Sequence, residues 1–219
     1  MRNFNIIKDK EFAVLSAMYG IHHFFGSINS DVGKMNKQEI YQIFYGLYQK
    51  GILISQNEAI VLKTDMDMIF KHLQQAKQLM SIINPITYEN QTFYYSPQEN
   101  LVVNIQKGWH EPDSIKLRLI EKTDIILVCE QAELFPKQLL NETVLTDIVL
   151  DKEVEVLKEY LEVKVYDLVK ENQLACISVR MEGFNDVLSY ESSQKKYREI
   201  YILTHLEALI TSLVQEEQR

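Results

Sequence analysis

The sequence predicts an α+β fold in which helices flank a central antiparallel sheet. Apolar residues recur at helical spacing near both ends of the chain, whereas the middle shows the two-residue period of strands. The turns between those strands are too short for the crossovers that parallel strands need. With 219 residues, of which 46% are hydrophobic, the chain can bury a large core.

The first third of the chain is predicted to hold two helices, a hairpin and a third helix. The first helix runs from Lys10 to about Phe25. The second begins after Asn36, which can cap it together with Glu39, and ends at Gly51, since glycine suits the left-handed position after a helix. The hairpin "GILISQNEAIVLK" follows and is expected to start a larger sheet. The third helix covers residues 64–82.

The remainder of the chain is predicted to alternate between strands and helices. Four successive strands are expected in "ITYENQTFYY", "NLVVNIQKG", "SIKLRLIEK" and "DIILVCEQ". The last of them contains a continuous apolar run, which is typical of a central strand. A helix over residues 151–172, two strands within 173–193 and an amphipathic terminal helix complete the prediction, and a short strand fits at the start of that last segment.

These elements are expected to form one domain over residues 1–219. A strand pair followed by a helix recurs loosely along the chain, which suggests two similar halves of about 1–110 and 111–219. We find no Pro-rich or Ser-rich linker between them.

Composition narrows the class of protein. The net charge of -8 and the pI of about 5.2 disfavour a broad phosphate-binding surface. The first 82 residues carry a slight positive excess, however, so a DNA-binding option stays open for that part. The N-terminus lacks a signal-peptide pattern and no apolar run is long enough to span a membrane. We therefore expect a cytoplasmic protein whose thiols, Cys129 and Cys176, are reduced and buried.

The search for catalytic and metal motifs gives no candidate. The chain has seven glycines and no Gly-rich phosphate loop or G-x-S-x-G elbow. His22 and His23 are adjacent and would point to different faces of a helix, and His110 has no second ligand at a suitable spacing. The sequence therefore predicts neither enzyme activity nor a cofactor nor a metal site.

Aromatic residues give the candidate partner-binding positions. On a strand, Tyr95 would share one face with Phe93, and Tyr94 would point to the opposite face. Tyrosine and tryptophan supply contact area with little loss of entropy, so Tyr94 and Trp109 are predicted to be exposed anchors. The predicted surface also includes Tyr95 and the terminal helix around Leu206 and Leu213. The alternative is ordinary packing of these residues between sheet and helices.

Several segments resemble EspG-type chaperones of type VII (ESX) secretion systems. "IIKDKEFAVLSAMYGIHHFFGS" resembles the family's opening helix, and "EIYQIFYGLYQKGILI" resembles its following helix and strand. "VLKTDMDMIFKHLQQAKQLMSIINP" and "IILVCEQAELFPKQLL" resemble later helix and strand segments. The resemblance implies a central antiparallel sheet built from two quasi-equivalent halves, with a hairpin that belongs to the chaperone fold. It also implies that sheet-edge loops and C-terminal helices hold the client.

Two functions remain open at this point. The resemblance implies a non-catalytic cytosolic chaperone or adaptor for a helical secretion substrate, without nucleic acid or membrane insertion. The alternative is a winged-helix regulator with a C-terminal sensing or dimerisation region. Its reading helix would present only Lys37 and Lys50 as cations, while three tyrosines crowd its outer side, which favours the chaperone. The sequence leaves open a homodimer in either case.

Overall fold

The computed structural model describes residues 4–21, 32–107, 113–136, 156–182 and 185–215. Within these ranges the helices are α1 (Asp9–Met18), α2 (Lys37–Gln49), α3 (Thr64–Gln75), α4 (Ile125–Gln131) and α5 (Leu203–Gln215). The strands are β1 (Asn5–Lys8), β2 (Leu53–Gln56), β3 (Ala59–Leu62), β4 (Gln78–Ile83), β5 (Asn90–Tyr95), β6 (Leu101–Lys107), β7 (Ser114–Glu121), β8 (Val156–Asp167), β9 (Asn172–Glu182), β10 (Asn185–Ser192) and β11 (Lys196–Ile200).

Among the described strands, nine form one antiparallel sheet in the order β1-β7-β6-β5-β4-β8-β9-β10-β11. Two meanders, β4 to β7 and β8 to β11, supply most of it, because each strand pairs with the next along the chain. Pairing of β4 with β8 joins the meanders, with Ile83 opposite Glu162. The predicted α+β fold with a central antiparallel sheet and flanking helices is confirmed. Its division into two similar halves stays a prediction.

Helices cover both faces of the sheet. Helices α1, α2 and α3 enclose one apolar cluster, to which Phe70, Leu79 and Tyr94 belong. Helices α4 and α5 enclose a second cluster on the opposite face, to which Met80 and Tyr95 belong. Neighbouring residues of one strand therefore enter different clusters, as the alternation of strand side chains requires.

The start and end of α2 match the prediction. The side chain of Asn36 accepts a hydrogen bond from the backbone N–H of Glu39 at 2.9 Å, and Glu39 Oε2 accepts one from the backbone N–H of Asn36 at 3.0 Å. This reciprocal capping box satisfies two backbone donors that the helix leaves free. Gly51 follows the helix with a φ of +65°, a conformation that glycine adopts without steric cost.

The third helix is shorter than predicted. It ends at Gln75, and residues 78–83 form strand β4 instead of continuing the helix. Leu79, Met80 and Ile82 are all buried, because β4 lies inside the sheet with helices on both faces. A strand buried in both directions shows no alternation of apolar and polar residues, so its period could not be recognised.

Two further predictions of element type are wrong. Residues 125–131 form helix α4, not a strand, because Ile125, Val128 and Cys129 turn inward at helical spacing. Residues 156–167 form strand β8, not a helix. In β8, Leu161 and Val163 are fully buried on one face, while the intervening charged residues point to the other face.

The N-terminal part differs in three respects. The described helix α1 ends at Met18, and the predicted continuation into residues 22–25 lies outside the described residues. Strand β1, which was not predicted, pairs with β7 at the sheet edge. Strands β2 and β3 form a separate two-stranded sheet, so the hairpin does not start the larger one. The predicted strands β5, β6, β7, β9 and β10, the short β11 and the terminal helix α5 are confirmed.

Candidate partner-binding surface

The expected exposure of Tyr94 is wrong. Its side chain is only 2% exposed and packs in the cluster under α3, where burial raises the pKa of the phenol. The reason is the position of β5 between β4 and β6 in a sheet with helices on both faces, which buries side chains in both directions. Tyr94 and Tyr95 point to opposite faces of the sheet, as predicted.

The structure brings three of the other predicted residues together inside the core. Tyr95, Leu206 and Leu213 belong to one cluster, and Tyr95 Oη donates a hydrogen bond to the backbone oxygen of Leu213 at 3.4 Å. Trp109 lies outside the described residues. A partner-binding role of these residues stays a prediction, and the four that are described are buried rather than presented at the surface.

Exposed aromatic rings lie instead on α2. Tyr41, Tyr45 and Tyr48 are 73%, 66% and 48% exposed, and we call them the tyrosine stripe. Their spacing of four and then three residues places them within an arc of about 60° on a helix that turns roughly 100° per residue. The sequence already showed three tyrosines on the outer side of this helix. Their position opposite the apolar face of the same helix is the sequence signal for a binding surface that the prediction missed.

The opposite side of α2 fixes the helix to the protein. Leu47 is fully buried, and Ile43 and Phe44 pack partly buried against the same cluster. At the end of the helix, Lys50 Nζ donates to both carboxylate oxygens of Glu11 at 2.7 and 2.8 Å, and this carboxylate also accepts the backbone N–H of Lys8. The stripe is therefore presented by a helix that is held against α1.

The surroundings of the stripe are polar and lack a facing carboxylate on α2. An open hollow beside Tyr41 and Tyr45 is also lined by Lys37, Gln38 and Gln42. The acidic residue of α2, Glu39, is engaged in the capping box and in a 3.4 Å contact with Lys10. This composition suits hydrogen bonding and contact with negative charge around an aromatic centre.

Strands β8 to β11 carry a second polar surface, on the face away from α5. Ion pairs across or along the strands cover it: Lys164–Glu162 at 2.7 Å, Arg180–Glu159 at 2.9 Å, Lys196–Glu191 at 3.0 Å, and Arg198–Glu182. Cys176 lies half-buried on this charged sheet face rather than in the core as predicted. These ion pairs give this face, which we call the charged sheet face, a dense arrangement of charges of both signs.

The described residues contain no group of three or more His, Cys, Asp or Glu side chains placed to hold a metal ion. Burial raises the pKa of both thiols, Cys129 and Cys176, which makes them poor nucleophiles. No described helix is long and apolar enough to cross a membrane.

The geometry around the hairpin bears on the DNA-binding alternative. The turn between β2 and β3 carries Glu58, and the cation of the hairpin is Lys63 at its end. A wing that contacts phosphates needs lysine or arginine near its tip. The exposed side of α2 carries the tyrosine stripe where a reading helix would carry groups for base edges.

Comparisons with known proteins agree at the level of fold. No protein-family model matches the chain, and no curated protein matches its sequence. A similar solved structure is that of the Mycobacterium tuberculosis type VII secretion system chaperone EspG5 in complex with the PE25–PPE41 dimer. The likeness covers 97% of this chain and 94% of that chain, with a TM-score of 0.54 and 9% sequence identity. The predicted likeness to EspG-type chaperones is therefore confirmed as a likeness of fold.

Proposed function

We propose that the protein is a non-catalytic cytoplasmic chaperone or adaptor that binds a helical substrate of a type VII secretion system. The observation that carries this proposal is the fold, which matches a secretion chaperone over nearly the whole length of both chains. That chaperone was solved in complex with a PE25–PPE41 dimer, so this fold can hold another protein.

Two features of the chain support a binding role. The tyrosine stripe is an exposed aromatic surface on a fixed helix. Tyrosine is one of the residues enriched in binding hot spots. The charged sheet face offers paired charges that can exchange partners with a client.

The test is co-expression of this protein with small helical proteins encoded next to its gene, followed by titration calorimetry of each purified pair. We expect one of them to form a stable complex, to stay soluble only in that complex, and to bind without nucleotide or metal. A failure of all such proteins to bind would contradict the proposal.

A parallel gel-shift experiment tests the regulator alternative. The purified protein should bind duplex DNA no better than the non-specific background, and the remaining binding should disappear with added salt. Sequence-selective binding in the nanomolar range would replace the chaperone by a winged-helix regulator.

A further inference from the structure

We propose that the tyrosine stripe of α2 is a docking site for one amphipathic helix with acidic flanks, supplied by the partner protein. This inference rests on the proposed function, which it deepens by naming the surface and the chemistry of the bound segment. It assigns no role to the buried residues Tyr95, Leu206 and Leu213.

The spacing of the stripe fits a helical partner. Tyr41, Tyr45 and Tyr48 follow the i, i+4, i+7 pattern with which one helix packs along another. Helix α2 has 13 residues, so it is about 20 Å long and can contact three to four turns of a second helix. An extended peptide would place side chains at strand spacing and would not follow this pattern.

The contact area favours a single helix over a second copy of the protein. A whole tyrosine side chain can bury about 200 Å². The exposed parts of the three rings, between 48% and 73% of each, therefore offer roughly 400 Å². A stable dimer of folded chains buries about 800 Å² on each partner. One helix laid on the stripe needs no more than this surface provides.

The charged residue beside the stripe indicates that the flanks of the bound helix are acidic. Lys37 precedes the stripe by one helical turn and lines the hollow beside it, while the carboxylate of Glu39 is engaged at the start of α2. Gln38 and Gln42 add neutral hydrogen-bonding groups on the same side. Glutamate or aspartate flanking the apolar positions of a bound helix would meet no carboxylate among the residues that line this hollow.

The experiment uses two labelled model helices that share one leucine face and differ in having glutamate or lysine on both flanks. Fluorescence anisotropy measures their binding to the full-length protein, to the variant Tyr41→Ser/Tyr45→Ser and to the matched control Tyr88→Ser. Tyr88 is also exposed but lies in the turn after β4, outside the stripe. Hydrogen exchange then locates the protected amides.

We expect the acidic helix to bind at least tenfold more tightly than the basic helix and to protect residues 37–49. The double variant should lose at least tenfold in affinity for it, whereas the control should bind like the original protein. The variant Lys37→Glu should reverse the preference between the two helices. Each variant changes side chains that are largely exposed, so an unchanged melting curve will verify that it is folded.

Equal binding of both helices, unchanged binding by the double variant, or protection elsewhere would overturn the inference. A dimer of the protein that the double variant abolishes would also overturn it, since the occupant would be a second copy. A secretion client that binds the original protein and the double variant equally would remove the stripe as client site while leaving the proposed function intact. If the acidic helix binds tightly but no secretion client binds the protein, the docking site stands and the proposed function is contradicted.

Discussion

A row of buried polar side chains on the sheet provides a sharp test of how the fold is held together. Asn104 on β6 is fully buried, and its Nδ2 donates to Gln91 Oε1 at 2.8 Å. Its Oδ1 accepts a hydrogen bond from Arg118 Nε at 2.9 Å. Burial lowers the pKa of the Arg118 guanidinium, which shows that its charge is partly deprived of water. The amide of Asn104 therefore hydrogen-bonds both the charged side chain of Arg118 and the neutral side chain of Gln91.

Replacing Asn104 by alanine should cost about 2.5–4 kcal/mol of unfolding free energy. A hydrogen bond to a charged group contributes about 1.5–3 kcal/mol and a neutral one about 1 kcal/mol, and both partners stay buried after the change. For a chain of this size each kcal/mol lowers the melting temperature by about 2–4 °C, so a drop on the order of 10 °C is expected. Urea unfolding measures the free energy and thermal melting measures the melting temperature, each followed by circular dichroism.

Two further variants make this result interpretable. Gln106→Ala changes the same strand and face two residues away, where the side chain is partly exposed, and should cost less than about 0.5 kcal/mol. Asn104→Asp keeps an acceptor for Arg118 and should cost less than Asn104→Ala. A loss below about 1 kcal/mol for Asn104→Ala, or equal losses for the alanine and aspartate variants, would refute the assigned role of the row.

Three other predictions concern separate parts of the molecule. Hydrogen bonding from Lys71 holds the pKa of Asp67 below its usual 3.8. The stability that this carboxylate contributes is therefore present above that pH and is lost as the pH falls further. The melting temperature of Asp67→Asn should accordingly depend less on pH in acid than that of the original protein. Cys129, fully buried, should react with a thiol reagent only on unfolding, and half-buried Cys176 should react first, as mass spectrometry of the labelled protein can show. Asn36→Ala removes the cap of α2 and should cost about 1 kcal/mol in urea unfolding, whereas an unchanged midpoint would mean that the cap is not needed.

Elements with a local signal could be predicted from the sequence. Helix α2 carries its own start and stop in Asn36, Glu39 and Gly51, and no distant contact is needed to place them. Strand β7 has one face that is partly exposed near its start, and the alternation in "IKLRLI" indicated the strand correctly. In both cases the pattern depends on neighbours within a few residues.

Elements defined by distant partners could not be predicted in the same way. Strand β4 is buried on both faces because helices cover both sides of the sheet, and its edge neighbour β8 comes from a remote part of the chain. In β8, lysine and glutamate recur at spacings that also fit a helix, although Lys164 and Glu162 pair along one strand face. Local periodicity leaves both cases undecided, and pairing in the sheet determines them.

The candidate site shows the same limit. No local pattern in the sequence shows that helices cover both faces of β5, so Tyr94 was expected at the surface. The exposed rings of Tyr41 and Tyr45 were recognisable on the outer side of α2, but their significance depends on the burial of the other aromatic residues. Exposure is a property of the assembled layers, and a single element does not reveal it.

The junction between β4 and β8 has a consequence for the order of folding. Each meander can form from neighbouring segments, whereas this junction closes a long loop and loses chain entropy before its contacts form. We therefore expect the two meanders to gain structure early and the central pair to zip together late. Until that step, the edges of β4 and β8 expose unpaired backbone groups, which is where an unfinished chain would be most prone to aggregate.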